Sequence, residues 1–234
     1  MSILRIITLV FCSYSFSFTA DIYAIFNIKA VQDANLTLDS SGTIEQIKVD
    51  VGSVVKKGEV LLKLSNQDKI AQALSVKQQY IFAQNQYNRY NKTGAAIDKN
   101  TLEQYYSNYK KLEADYKYYR ALLDKTTLIA PFDGVIAEKN IELGDGVGQN
   151  STKLFRLVSH EKKFLIEFDS KYLNDVRVGD IFYYSIDGGS KKEQAVITKI
   201  YPTIDENTRK VSAEAKASNN MTPGIFGDGF IRTK

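Results

Sequence analysis

The sequence predicts a mainly β protein with an inserted antiparallel α-helical coiled-coil hairpin and a small antiparallel β-barrel. Three observations predict it. A short strand–turn–strand pattern occurs twice, a long run of helix formers with a/d spacing separates the copies, and short strands with turn punctuation follow the second copy. The first copy runs Gly42-Thr43-Ile44 to Gly52, then Val55 and Gly58, and closes on Val60-Leu61-Leu62-Lys63-Leu64. The second runs Gly134-Val135-Ile136 to Gly144, then Val147, and closes on Leu154-Phe155-Arg156-Leu157-Val158. Alternating apolar residues fill each interval, which is the grammar of half a barrel. A unit of about 30 residues cannot bury a core alone, so the copies must pack on each other and draw together the ends of the segment between them.

At the N-terminus, Arg5 precedes the apolar run Ile6-Ile7-Thr8-Leu9-Val10-Phe11 and a small and aromatic stretch from Cys12 to Ala20. The run is shorter than the roughly 20 residues a bilayer span needs, so residues 1–20 read as a secretory signal peptide. Ser15 and Ser17 give a small-x-small cleavage site, with Thr19 or Ala20 as other positions for the cut, and an uncleaved anchor is the alternative. Phe11 stands where a lipobox before Cys12 wants a small residue. Removal of this segment leaves no cysteine, hence no disulfide and no thiol nucleophile. The exported chain is then expected in the periplasm.

Residues 24–38 alternate through Ile28, Ala30, Leu36 and Leu38, with Asp33-Ala34-Asn35 as a turn signal, and read as strands leading into the first copy, residues 24–65. Asn66 and Asp68 offer N-cap chemistry, and helix formers then continue without Gly or Pro to Tyr90. Ala73, Val76, Tyr80, Ala83, Tyr87 and Tyr90 fall at steps of three and four. Leu102, Tyr105, Tyr109, Leu112, Tyr116, Tyr119 and Leu123 do the same on the return. About three heptads of such spacing make a narrow seam on each helix that pairs best with another seam, so residues 66–125 should zip into a hairpin with arms of about 22 to 25 residues, a spike about 35 Å long. Asn91-Lys92-Thr93-Gly94-Ala95-Ala96 reads as a tight connector, and Asp98 caps the returning helix. Tyr rings bury while their hydroxyls stay hydrated; Tyr106 and Tyr118, off the seam, present amphipathic surface for docking.

The second copy occupies residues 126–159. Beyond it, strands are expected at 163–169, 180–186, 194–201 and 210–217, with turns at Asp187-Gly188-Gly189 and Pro223-Gly224 and a helical turn near Asn174-Asp175-Val176. Several short strands at this spacing make residues 160–234 a small antiparallel barrel.

Much chemistry is excluded. No Gly-rich phosphate loop appears, so the chain is not an ATPase. His160 is the only histidine and reads as a solvated loop residue; with Met221 it is too little for a soft-metal site. Asp133, Glu138, Glu142 and Asp145 sit beside turns and single out no acid–base pair. A net charge of +4 with interspersed signs gives no basic stripe for nucleic acid and a mild preference for anionic lipid or acidic partners. No cofactor and no enzymatic activity are expected.

Ser41-Gly42-Thr43-Ile44 through Asp50-Val51-Gly52-Ser53-Val54-Val55-Lys56-Lys57-Gly58-Glu59-Val60-Leu61 resembles the first half of a split biotinyl/lipoyl-like domain. Ile129-Ala130-Pro131-Phe132-Asp133-Gly134-Val135-Ile136 through Leu143-Gly144 resembles the second. Ile200-Tyr201-Pro202-Thr203-Ile204-Asp205 with Thr208-Arg209, then Pro223-Gly224, is similar to a family β-barrel. With the hairpin between the halves, the chain resembles the periplasmic adaptors, or membrane fusion proteins, of bacterial tripartite efflux pumps (the HlyD/RND type). A true biotin or lipoate carrier presents a modifiable Lys on the turn joining its halves; here the coiled coil replaces that turn.

The resemblance implies a non-enzymatic adaptor linking an inner-membrane transporter, RND type first and a macrolide-type ABC exporter second, to a TolC-type outer-membrane channel for export of drugs or toxic solutes. It implies docking of the channel at the tip through Arg89, Thr93, Gly94 and Asp98. Thr93 stands where efflux adaptors have Leu, and Asp98 where they have Ser. It implies lateral packing in a homo-oligomeric ring, structural turns at Gly42, Gly52, Gly58, Pro131, Gly134 and Gly144, and a transporter-facing barrel with Thr208 and Arg209. The chain ends at Lys234, straight after the last expected strand, which implies that a membrane-proximal domain is absent. A cell-envelope interaction protein that only self-assembles is the alternative outside transport.

Overall fold

Residues 21–92, 98–186 and 192–233 are described by the computed structural model. They fall into two units, residues 31–160 and residues 161–234 together with the N-terminal strand. The expected signal segment 1–20 and the turn at 187–189 lie outside the described residues.

The second unit is a closed six-stranded antiparallel barrel. Its strands are β1 (Asp21–Ala30), β10 (Lys162–Asp169), β11 (Ile181–Ile186), β12 (Glu193–Ile204), β13 (Lys210–Ala217) and β14 (Phe226–Arg232). They run in the order β1-β10-β13-β12-β11-β14, and β14 pairs back onto β1. Here the structure differs from the sequence reading, which sent residues 24–30 into the first half-motif. The physical reason is burial: Ile22, Ala24, Phe26 and Ile28 all point into the barrel core, and Ala30 is buried at the strand's end, with odd-numbered residues outward. Phe26 sits edge to face with Phe164 at 5.1 Å, Phe182 at 5.7 Å and Tyr184 at 5.5 Å. Burial and a bond to Glu193 push the Tyr184 hydroxyl up to about 12, so it stays a neutral donor. On the outer wall, burial raises the Glu214 carboxyl, but bonds from Lys163 at 2.5 Å and Tyr201 at 2.6 Å outweigh it and hold the group below the usual range. The helical turn expected near residue 174 opens with a 3-10 turn at Ser170–Tyr172, where Asp169 accepts from the Lys171 N–H, and continues through residues 173–176, the Val176 N–H donating to the Tyr172 carbonyl at 3.1 Å.

The first unit is a sandwich of two four-stranded sheets. One has the order β2 (Asp33–Leu36), β9 (Phe155–Ser159), β7 (Gly134–Lys139), β4 (Val54–Val55). The other has the order β6 (Thr127–Ile129), β5 (Val60–Leu64), β3 (Gly42–Ile47), β8 (Gly146–Val147). Leu61, Leu62, Leu64, Ile136, Leu154, Phe155 and Leu157 fill the space between them, each fully buried.

Helices α1 (Gln67–Lys92) and α2 (Lys99–Asp124) are inserted between β5 and β6. Each has 26 residues, a rod of about 39 Å, slightly longer than expected because Asn91 and Lys92 continue α1 instead of joining the connector. Residues 93–97 lie outside the described residues.

Candidate functional site

The sandwich is built by exchange between its two halves. β4 of the first half lies in the sheet of the second, with Val54 opposite Val135 and Val55 opposite Gly134. β8 of the second lies in the sheet of the first, with Gly42 opposite Val147 and Thr43 opposite Gly146. The hydrogen bonds repeat with the same symmetry. The Gly52 N–H donates to the Ile136 carbonyl at 2.8 Å and the Ile136 N–H to Ser53 at 3.0 Å; the Gly144 N–H donates to Ile44 at 3.0 Å and the Ile44 N–H to Asp145 at 2.9 Å. Gly52 and Gly144 take φ +84° and +92°, the left-handed region that a side chain resists. Gly134 is small for another reason: a Cβ there would run into the Val158 carbonyl oxygen of the neighbouring strand. Gly58 lies in the turn before β5, its N–H bonded to Ala130 at 2.8 Å; Pro131 is exposed after β6, and Asp133 accepts from the Lys57 N–H.

The second half has no glycine in the place of Gly58, and the structure shows what replaces it. Asn150 takes φ +53°, with its N–H on Leu38 at 2.9 Å. Asn enters this region more readily than other side chains, which is the one sequence signal that could have marked it.

Gly144→Val is expected to cost about 1–3 kcal/mol from backbone strain alone, since a Cβ there meets no atom within 4 Å. Urea unfolding checks it; an unchanged midpoint would show that the turn relaxes freely.

The exchange places β5 beside β6, with Lys63 opposite Thr127, so the hairpin leaves and re-enters through hydrogen-bonded neighbours. Its base is clamped. Thr126 is fully buried, its hydroxyl donating to the Leu123 carbonyl at 2.7 Å and accepting from Asn66 Nδ2 at 2.9 Å. Lys125 pairs with Asp39 at 2.6 Å and Lys69 Nζ donates to Ser40 at 3.1 Å. Bonds from Lys125, Gln149 and Asn150 hold the Asp39 carboxyl below its ordinary range.

Along the arms the seam is a ladder of tyrosine rings. Tyr90 stacks on Tyr105 at 4.5 Å, Tyr87 on Tyr109 at 5.8 Å, and Tyr80 on Tyr109 and Tyr116 at 5.9 and 5.8 Å. Ala73 and Ala83 are buried between the helices; Leu102, Leu112 and Tyr119 are half-buried. Loss of hydration in the seam, reinforced by Tyr109 and Glu113, raises the Tyr80 hydroxyl, and a bond with Tyr90 raises that of Tyr105. These two phenols therefore stay neutral at ordinary pH. Tyr118 is exposed, whereas Tyr106, read as off the seam, packs its ring against Tyr87 at 5.2 Å and is only partly free. Lys110 covers the Tyr109 face at 4.9 Å.

At the far end Arg89 is exposed in the last turn of α1, and Asp98 is the N-cap of α2, accepting from the Thr101 N–H at 3.2 Å. Thr93 and Gly94 lie outside the described residues. On the barrel, Thr208 donates its N–H and hydroxyl to Asp205, and Arg209 follows at φ +55° with its side chain in solvent. His160 is exposed between β9 and β10. Glu138 pairs with Arg156, Glu142 with Lys139, and Asp145 caps the Glu142 N–H. Among the described residues no group of three metal-ligating side chains comes together, and no helix is long and apolar enough to cross a membrane.

The profile of the family described as CzcB-like, barrel-sandwich hybrid domain matches residues 32–159. The cobalt-zinc-cadmium resistance protein CzcB of Cupriavidus metallidurans is 26% identical over 210 residues, 80% of this chain and 40% of that protein. The chain thus spans about two-fifths of that relative's length. Among solved structures, a MacA-MexA chimera carrying the Pseudomonas aeruginosa MexA α-hairpin superposes with a TM-score of 0.80 at 19% identity, covering 92% of this chain and 80% of the other. The membrane fusion protein Spr0693 of Streptococcus pneumoniae R6 gives 0.73 at 17% identity, covering 91% and 100%. Both share the fold.

Proposed function

The chain belongs to the CzcB-like barrel-sandwich hybrid family of membrane fusion proteins, and we propose on that premise that it is the periplasmic adaptor of a tripartite efflux pump. It is an adaptor, not an enzyme. The observation that carries the reading is the clamped hairpin: a rod about 39 Å long is fixed at its base to a strand-exchanged sandwich and offers Arg89 and Asp98 at its far end. Such a part has reach and rigidity. In this reading the tip around Arg89, Thr93, Gly94 and Asp98 meets a TolC-type outer-membrane channel. The barrel, with Thr208 and Arg209, meets an inner-membrane transporter, and copies of the sandwich pack side by side in a ring whose many weak contacts add.

The transporter is of the RND type in the first reading and a macrolide-type ABC exporter in the second. The cargo is a drug or other toxic solute, and the resistance named for the Cupriavidus relative fits a toxic solute. Residues 1–20 act as the export signal that brings the chain to the periplasmic face of the inner membrane.

The test is in-cell crosslinking from single cysteines replacing Thr93 and Thr208 in a Cys12→Ser background, with captured partners identified by mass spectrometry. The expected result is an outer-membrane channel from position 93 and an inner-membrane transporter from position 208, whose identity decides between RND and ABC. Capture of nothing but further copies of this chain would replace the bridge with a self-assembling envelope protein.

A further inference from the structure

Coiled-coil seams are ordinarily aliphatic, and this one is phenolic. The chain has 15 tyrosines, nine of them within residues 66–125, no tryptophan and two methionines. Its one cysteine is Cys12, inside the expected signal segment. Thiols and thioethers are the side chains that oxidants usually attack. Where they are so scarce, one-electron oxidation falls on phenols, and the hairpin holds most of them.

Two oxidised tyrosines join only where their rings already meet. The unpaired spin of a phenoxyl radical resides on its oxygen and on the ring carbons ortho and para to it. In tyrosine the para carbon carries Cβ, so a carbon–carbon bond forms between ortho carbons, and it forms most readily when the two rings overlap face to face at close range.

One ring pair across the seam meets these conditions best. Tyr90, in the last turn of α1, and Tyr105, in the second turn of α2, stack with centres 4.5 Å apart and planes 13° apart. Tyr87–Tyr109 and Tyr80–Tyr116 are wider, at 5.8 Å, as is Tyr80–Tyr109 at 5.9 Å. Tyr87–Tyr106, at 5.2 Å, is tilted by 53°. The Tyr105 hydroxyl also shares a hydrogen bond with Tyr90. The two oxygens are therefore adjacent, and so are the ortho carbons that flank them. Both residues are half-buried, within reach of electron transfer to a small oxidant but shielded from the phenol of another molecule.

We infer that Tyr90 and Tyr105 are a site of oxidative cross-linking, joined as a dityrosine that fixes the far end of the hairpin. The oxidant is a peroxide acting through a one-electron carrier. Each phenol gives up one electron and its hydroxyl proton, and a carbon–carbon bond forms between the two ortho carbons. The hydrogens on those carbons then move as protons to the oxygens, which restores both phenols. With persulfate as the peroxide, two phenols and one persulfate give one biphenol, two sulfates and two protons. The new bond closes a loop of about 15 residues and so restricts the unfolded arms. It completes at the far end what Thr126 and Lys125 do at the base. The inference stands on ring geometry and does not depend on the adaptor reading.

The test uses the full chain at high dilution, illuminated briefly with ruthenium tris(bipyridine) as the carrier and persulfate as the acceptor. The expected product is a tryptic peptide in which residues 90–92 are joined to residues 100–110 with the loss of two hydrogens, fragmenting at Tyr105. The chain should still run as a monomer and show blue dityrosine emission. Tyr90→Phe and Tyr105→Phe keep a stacked ring; each should abolish that peptide and lower the emission severalfold. Tyr87→Phe, on the same ladder, should leave both in place, and oxidation in urea should remove the preference for this pair. The helicity of the cross-linked chain should melt several degrees above that of the untreated chain. Cross-links spread over the exposed Tyr106 and Tyr118, cross-links found only between copies, or emission that survives both Phe variants would each overturn the inference. Should either Phe variant loosen the hairpin, the peptide map of the parent chain decides alone, since any dominant junction other than Tyr90 with Tyr105 counts against the site.

Discussion

Phe26→Ala is expected to lower the unfolding free energy by about 3–5 kcal/mol, the usual cost of removing a buried ring from a packed core. Phe26 is 1% exposed and touches Phe164, Phe182 and Tyr184 edge to face, so one truncation strips a partner from three aromatic rings on two other strands. The void opens at the seam where β1 joins β10 and β14. Urea denaturation followed by near-ultraviolet circular dichroism measures the effect, since the lost asymmetry belongs to those rings. Tyr23→Ala, on the same strand and facing outward at 54% exposure, should cost less than about 1 kcal/mol. If the two variants were equally stable, the inward face of β1 would have been misassigned.

The second large effect is on the hairpin. Tyr109→Asp is expected to cost about 2–4 kcal/mol, because Tyr109 stacks on both Tyr80 and Tyr87, at 5.9 and 5.8 Å, and supports Lys110 on its face at 4.9 Å. Each ring pair contributes about 0.5–1.5 kcal/mol beyond its buried area, and the aspartate adds a charge to a half-buried seam. Helicity at 222 nm and its melting midpoint are the measurements. Tyr109→Phe keeps the stack and should melt within a few degrees of the parent. Unchanged melting of the aspartate variant would mean that the ladder does not hold the arms together.

The hairpin was legible in the sequence because its signal is local. Steps of three and four from Ala73 to Tyr90 and from Leu102 to Leu123 name a helix and its buried stripe together, and the residues on those stripes are the ones turned inward between α1 and α2. The strands were half legible. Period-two alternation says which residues of Asp21–Ala30 share a face, but the partner of a strand depends on residues far away in the chain, here Phe226–Arg232 and Lys162–Asp169. The membership of β1 in the barrel was therefore invisible, and so was the exchange of β4 and β8. The matched glycines at 52 and 144 announced two turns alike without announcing that each turn bonds to the other half. Asn150 carried a weaker mark, because an asparagine fits many conformations besides the left-handed one and a glycine at a repeated turn position signals it more plainly.

The exchange also governs the order of events when the chain first folds. Neither sheet of the sandwich can be completed from one half, since β4 waits for β7 and β8 for β3. The two halves are separated by residues 66–125, so closing them unaided means ordering a long loop at an entropic cost that grows with its length. Helices zip through near neighbours and do so early. Once α1 and α2 are paired, Leu64 and Thr126, hydrogen-bonded at 2.9 Å in the folded sandwich, lie together and the long loop has become a short one. The spike would then be a folding device before it is a mechanical one. Pulse-labelled hydrogen exchange should find amides of Gln67–Lys92 and Lys99–Asp124 protected before those of Gly42–Ile47, and the Tyr109→Asp substitution should slow closure of a sandwich whose strands it never touches. Simultaneous protection of helices and strands would remove the hairpin from that role.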